Sequence, residues 1–424
     1  MALLLRFCAG ASVVLSLMAC GDNSTSAGGS VPVPDAGTPP AVDMAVPPYS
    51  PPFPPVAPQM LKAASTVLAS PKVVPVFFPQ DALQSTLVTF LQNYQAKSAA
   101  WGMLSEYGIG RGTTAAPVTL PTTLPATFAE ADVQALLAAR IGDGTLPRPD
   151  ANTIYALYFP STVSLLQGGA TSCVDFAGYH GTSTLTDGTK TVYAVIPRCQ
   201  MGLQALLTYA TSHELAEAAT DPHLLGYNSM SDPYFLWTVG HSGAEVSDLC
   251  QDLVDAAVNE AGVGVVCRNW SNKAAAQYTN PCLPAAAGPS FFSIPRHPQL
   301  NTVLINGQAK NVEVVPLLVG QTVSVEVRGL SDVKPGPSWT VKAEELPLPS
   351  SSGGMVTKVL TFAWQEAPGK ALAPLKDGAS VHLQLSTPST SPTGYTTFRL
   401  TSSGLTTAGK TTETQWVGTV YVGR

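Results

Sequence analysis

The chain has 424 residues, a formal net charge of −6 at pH 7 and only 12% Asp, Glu, Lys and Arg. An average soluble domain carries about 25% charged residues, so the surface must be filled by small and uncharged polar side chains. The acidic balance offers nucleic acid no basic footprint, and the length suits two or three domains.

The first twenty residues carry one charge, Arg6, ahead of the apolar run Ala11–Ala19. That run is too short to span a bilayer and fits the apolar part of an export signal. It ends in Leu17-Met18-Ala19-Cys20, which resembles the lipobox of bacterial lipoproteins. The resemblance implies a signal peptide over residues 1–19, with Cys8 discarded inside it. It also implies that Cys20 is acylated and tethers the chain to a lipid bilayer, at the periplasmic face or the cell surface. Residues 20–64 continue as Ser and Gly, then as paired prolines such as Pro47-Pro48 and Pro54-Pro55. They have no apolar period with which to bury a core, and an extended disordered tether is expected.

Residues 65–285 read as one α/β domain. Lys72–Phe78 is an apolar strand, and Asp81–Lys97 has helical spacing with Leu83, Leu87, Phe90, Leu91 and Tyr94 on one side. A second helix is expected over Phe128–Ile141 with Thr127 as N-cap. Thr153–Phe159 and Thr191–Ile196 are β-rich runs closed by proline. A long helix then runs from Met201 to Thr220 and stops at Asp221-Pro222. Five cysteines fall here: Cys173, Cys199, Cys250, Cys267 and Cys282. In an oxidising compartment they form two disulfides and leave one over. Cys173 and Cys199 are the local pair, while Cys250 pairs with Cys282 or with Cys267.

From 289 to 424 the helical periods vanish. Short alternating runs take over, among them Asn311–Val315, Thr322–Val327, Val381–Leu385 and Gly418–Val422. They predict an all-β sandwich of immunoglobulin-like size with no disulfide, serving as an accessory domain.

Chemistry concentrates in Ser212-His213-Glu214-Leu215-Ala216-Glu217. Leu203, Leu206 and Ala210 step by three and four along the long helix, and the same step reaches His213 and Glu217. Two ionisable groups therefore lie on a stripe that should be buried, which costs several kcal/mol unless something pairs with them. A metal ion resolves the conflict, because His213 and Glu217 are one turn apart on one face. Glu214 is rotated round the helix, as is the general base of H-E-x-x-H metalloproteases. The sequence here is H-E-x-x-E. Zinc accepts such a set, and the hard carboxylates also admit manganese or calcium.

The third ligand is expected in Glu245-Val-Ser-Asp248, with Glu245 on the metal and Asp248 accepting from the far nitrogen of His213, or the reverse. His180, His223 and His241 are further candidates, His180 foremost. Tyr179 or His180 is the candidate oxyanion donor.

His213–Pro222, Glu245–Cys250, Asn269-Trp270-Ser271-Asn272 and Cys282 together resemble the bacterial relatives of the plant phosphate-induced, EXORDIUM-like proteins. Ser105–Gly110, Gly178-Tyr179-His180-Gly181 and Tyr193–Pro197 fit the same pattern, so the likeness spans about residues 70–285. The family's downstream motif reads G-E-I-G-D-L-C, and this chain departs from it at Ala244 and Ser247. The plant members are extracellular proteins linked to growth, and the bacterial ones are zincin-like by motif. The resemblance thus implies an α/β (α+β zincin-like) domain.

Two functions follow as expectations. One is a zinc-dependent, peptidase-like hydrolase in which Glu214 deprotonates a water activated by the metal. The other is a surface binding or adhesion protein for an extracellular peptide or glycan, with a structural or vestigial metal. Replacing Cys20→Ser is expected to move the protein from the detergent phase to the aqueous phase on phase partition. A variant that stayed with detergent would remove the lipid anchor.

Overall fold

In the computed structural model the described residues are 53–64, 66–199, 203–224, 226–229, 243, 245–305, 308–346 and 358–424. The export signal, Cys20 and His241 lie outside them.

Strand β1 (Lys72–Phe77) pairs in parallel with β2 (Thr153–Phe159), which pairs in parallel with β4 (Lys190–Pro197). An antiparallel edge strand, β3 (Tyr179–Thr184), lies on β4 with His180 opposite Ala194. Every residue of β2 is buried, as a sheet covered on both faces requires. On one face Val73, Phe77, Ile154, Tyr158, Val192 and Ile196 pack with the helices α1 (Gln84–Lys97) and α3 (Leu203–Thr220). On the other, Val74, Val76, Tyr155, Leu157, Tyr193 and Val195 pack with α2 (Glu130–Gly142). Strand alternation alone dictates this three-layer division.

Three local expectations change. Helix α1 begins at Gln84 because the Asp81 carboxylate accepts from Leu83 N–H and also pairs with Arg198. Thr127 is not an N-cap: Thr127–Ala129 is a short strand beside Ser164–Gln167, and Asp132 accepts from Ala129 N–H instead. The expected tether boundary at residue 64 falls inside packed chain. Ala57 and Met60 are buried, and Leu61–Lys62 pairs with Tyr227–Asn228.

Helix α3 is not amphipathic in its second half. All residues from Thr211 to Thr220 are buried, whereas Leu206 is only half-buried. The sheet covers one side of α3. The hairpin of β5 (Ala257–Glu260) and β6 (Gly264–Cys267) covers another. The stripe drawn through Leu203, Leu206 and Ala210 therefore understated the enclosure, and Glu214 is as deeply placed as His213.

Disulfides join Cys173 to Cys199 and Cys250 to Cys282, leaving Cys267 as a buried thiol. The first ties the segment before β3 to the end of β4. The second ties the short helix α4 (Asp248–Gln251) to the strand at Cys282.

The C-terminal region is a two-sheet sandwich. One sheet orders β7 (Phe291–Pro295), β10 (Thr322–Ser331), β13 (Ser380–Ser386) and β12 (Thr361–Trp364). The other orders β8 (Gln299–Ile305), β9 (Gln308–Leu318), β15 (Thr411–Gly423), β14 (Gly394–Leu405) and β11 (Thr340–Leu346). Val325, Val327, Leu383, Leu385, Phe398, Leu400 and Val420 fill the space between them. The chain as a whole is β-rich, and no described helix is long and apolar enough to cross a membrane.

The two domains share one core. Phe292, Ile294, Trp416 and Val417 of the sandwich join Ala57, Met60, Trp270 and Cys282 in a single buried cluster. Beside it, Arg399 bonds Asp252 at 2.7 Å and Glu344 at 2.6 Å. Burial alone would raise the Glu344 carboxyl, but Arg399 and Lys342 outweigh it and hold it below its ordinary value. That contribution to stability is present above the usual carboxylate range and is lost as pH falls through the depressed value. Arg399→Met is expected to cost about 1–3 kcal/mol at pH 7 in urea unfolding, with the difference shrinking below about pH 4. Equal losses at both pH values would show that Glu344 carries none of the effect.

Candidate metal centre

Helix α3 places His213, Glu214 and Glu217 inside the first domain, β3 brings His180 across from it, and the turn into α4 supplies Glu245 and Asp248. His213 Nε2 lies 3.1 Å from Glu217 Oε1 and 3.4 Å from Asp248 Oδ1. His180 Nδ1 lies 3.7 Å from Glu214 Oε2 and 3.8 Å from Glu217 Oε2, and its Nε2 is 3.3 Å from Glu245 Oε1. All five residues named first as metal ligands, and Glu214, thus converge.

Of the two divisions of labour left open between Glu245 and Asp248, the geometry matches the second in part. Asp248, not Glu245, joins His213 and Glu217, and it does so at Nε2. The far nitrogen, Nδ1, faces Cys267 Sγ at 3.5 Å. Glu245 faces His180. Tyr179 takes no part: as the neighbour of His180 on a strand it points to the opposite face, among Phe176 and Tyr193. His223 bonds Thr182 at 3.1 Å, away from the cluster.

Supporting residues fix these positions. Ser247 N–H and Asp248 N–H donate to Glu217 Oε1 at 3.3 and 3.2 Å. Ser247 Oγ donates to Asn269 Oδ1 at 2.9 Å and lies 3.3 Å from the His213 carbonyl. Asn269 in turn donates to the Ala100 carbonyl. Glu106 accepts from Ser271 Oγ and Asn272 N–H, so blocks distant in sequence meet beneath the site. Gly178 abuts Glu214, where an added Cβ would stand 2.8 Å from Oε1. The sequence flagged Asn269 and Gly178 only as parts of a pattern, and Cys267 only as one of two possible partners for Cys250.

The electrostatics are those of an overcrowded anionic pocket. Burial and the adjacent Asp248 push the Glu217 carboxyl up to about 7, against the pull of His213. Burial likewise raises Glu245, against His180. For His213, burial acts downward but Glu217 and Asp248 outweigh it, and the imidazole sits above its ordinary value. Among the described residues, no Lys or Arg forms an ion pair with Glu214, Glu217, Glu245 or Asp248. His180 Nε2 and Glu245 Oε1 are buried and face each other at 3.3 Å. Two imidazoles and four carboxylates are a donor set that fits a divalent cation. His213, Glu217 and Asp248 present three ligand atoms within 4.8 Å of one another.

No family model matches the chain, and no curated protein matches it. Some solved structures are similar over parts of it. Domains 4 and 5 of the S-layer protein SbsC match at 12% identity over 32% of this chain and 77% of that one, with a TM-score of 0.17. A family 123 glycoside hydrolase from Clostridium perfringens matches at 13%, over 26% and 23%, with a TM-score of 0.16. The sialic acid binding region of a Streptococcus sanguinis adhesin matches at 12%, over 59% and 57%, with a TM-score of 0.15. At such scores these likenesses carry no argument.

The Cys267 thiol donates to the Arg268 carbonyl at 3.4 Å, which leaves its sulfur to accept from His213 Nδ1–H. That tautomer turns the Nε2 lone pair toward Glu217 and Asp248. Cys267→Val is expected to weaken zinc binding about 10-fold or more in chelator competition, and Cys267→Ser to retain most of it. Unchanged affinity in the valine variant would remove Cys267 from the site.

Proposed function

We propose that the protein is an exported, lipid-anchored, metal-dependent hydrolase of peptidase-like chemistry. In this reading the first domain is zincin-like and related to the EXORDIUM-like family, and the immunoglobulin-like sandwich is its accessory. The observation that carries it is the convergence of His213, Glu217 and Asp248 in a buried pocket with no Lys or Arg partner among the described residues.

His213, Glu217 and Asp248 hold the cation, zinc by the imidazole and manganese or calcium by the carboxylates. Such an ion supplies Lewis acidity, polarising a carbonyl and acidifying water. Glu214 stands beside this triad without belonging to it and serves as the proton acceptor. Gly178 leaves the room its carboxylate occupies. Cys267 orients His213, and the N–H groups of Ser247 and Asp248 hold Glu217 Oε1 in place.

One observation favours a second reading, a surface binding protein with a structural ion. Glu217 is 3% exposed and Glu214 6%, and a closed site is what a structural metal prefers.

Metal content of the purified chain by mass spectrometry tests the shared premise, with at least one equivalent expected. Glu214→Gln should keep a cation at His213, Glu217 and Asp248 while peptide hydrolysis falls about 100-fold or more. A chain purified and reconstituted without metal would end both readings. Undiminished hydrolysis in Glu214→Gln would end the base assignment.

A further inference from the structure

Once His213, Glu217 Oε1 and Asp248 are assigned to one ion, part of the same pocket is left over. His180 is more than nine-tenths buried. It faces Glu214 Oε2 at 3.7 Å and Glu217 Oε2 at 3.8 Å. Glu217 therefore turns one oxygen to each imidazole. The ligand atoms of His180, Glu214 and Glu217 form a second set within 4.8 Å of one another, and the two sets have only Glu217 in common. His180 turns Nδ1 to this set and Nε2 to Glu245 Oε1, 3.3 Å away, which fixes the plane of its ring.

Charge points the same way. With both imidazoles neutral, as metal ligands must be, four carboxylates, Glu214 and Glu217 buried and Glu245 and Asp248 half-buried, and one divalent cation leave two negative charges in the pocket. A second divalent cation brings the pocket to neutrality.

We propose that the protein holds a second divalent cation at His180, Glu214 and Glu217, bridged to the first by the two oxygens of Glu217. The proposal rests on the metal reading above and adds a control to it. A cation on Glu214 would lower the proton affinity of its carboxylate and so weaken it as a base. The first cation builds the reactive site, and the second weakens its base.

Equilibrium dialysis of the full chain against zinc alone, with bound metal counted by mass spectrometry, decides the matter. Two equivalents are expected for the wild type, one for His180→Ala and one for Asp248→Ala. Glu217→Gln, with a single carbonyl oxygen, should hold at most one. Should His180→Ala fail to fold, the near-isosteric Glu214→Gln carries the same expectation of one equivalent. A wild type that binds one equivalent overturns the second site and leaves the hydrolase reading standing. One that binds none overturns both. A folded His180→Ala, or Glu214→Gln in its place, that still binds two places the extra cation elsewhere and overturns the assignment.

Discussion

Anionic charge held inside a packed domain is the constraint on which the rest of this structure turns. Two unit charges 4 Å apart repel by about 4 kcal/mol at an effective dielectric constant near 20, and the pocket gathers four carboxylates. A hydrophobic core alone would expel such groups or protonate them. The raised carboxyl of Glu217 records that second response. The architecture nevertheless commits backbone N–H groups, a disulfide and a central helix to holding these side chains together. His213, raised above its ordinary value, answers part of that charge, and the proposed cation would answer the rest.

The fold meets the constraint by enclosing one helix and letting everything else approach it. Helix α3 is covered by the sheet and by the β5–β6 hairpin, so His213 and Glu217 have little freedom to turn toward solvent. Strand β3, at the sheet edge, delivers His180 from one side. The turn before α4 delivers Glu245 and Asp248 from the other, and Cys250–Cys282 pins that turn to the strand that follows Asn272. The segments that carry these side chains are thus fixed by contacts outside the cluster itself.

What the sequence made legible was whatever depends on local pattern. The strands β2 and β4 announce themselves because burial on both faces removes alternation and leaves continuous β-branched and aromatic runs. The HExxE spacing was readable because one helical turn fixes which residues share a face. Choices that depend on tertiary placement were not readable. Cys250 had two candidate partners, Cys267 and Cys282, and only the approach of Cα atoms, 5.6 Å to Cys282, decides between them. Glu245 and Asp248 are three residues apart on a turn, and nothing local says which nitrogen of which histidine each will face. Tyr179 was a legible miss, since two neighbours on a strand cannot both point at one pocket. Thr127 misled because a Thr before a helix resembles a cap, while the buried Phe128 pulls the segment into a short strand.

The sandwich belongs to the site's support and is not an independent passenger. Immediately after Asp248 the chain passes through α4 to Asp252 and Asp255, and the sandwich engages this stretch directly. Arg399 pairs with Asp252, Glu413 accepts from Val254 N–H at 3.0 Å, and Thr412 donates to Asp255 at 2.8 Å. Asp255 also pairs with the buried Arg268, next to Cys267 and hence to the His213 ring. A shared hydrophobic core beneath these polar contacts makes separation of the domains expensive. Movement of the sandwich would therefore disturb the segment carrying Asp248 before it disturbed the central sheet. The sandwich is thereby positioned to hold the turn that carries Asp248, which no strand of the central sheet secures.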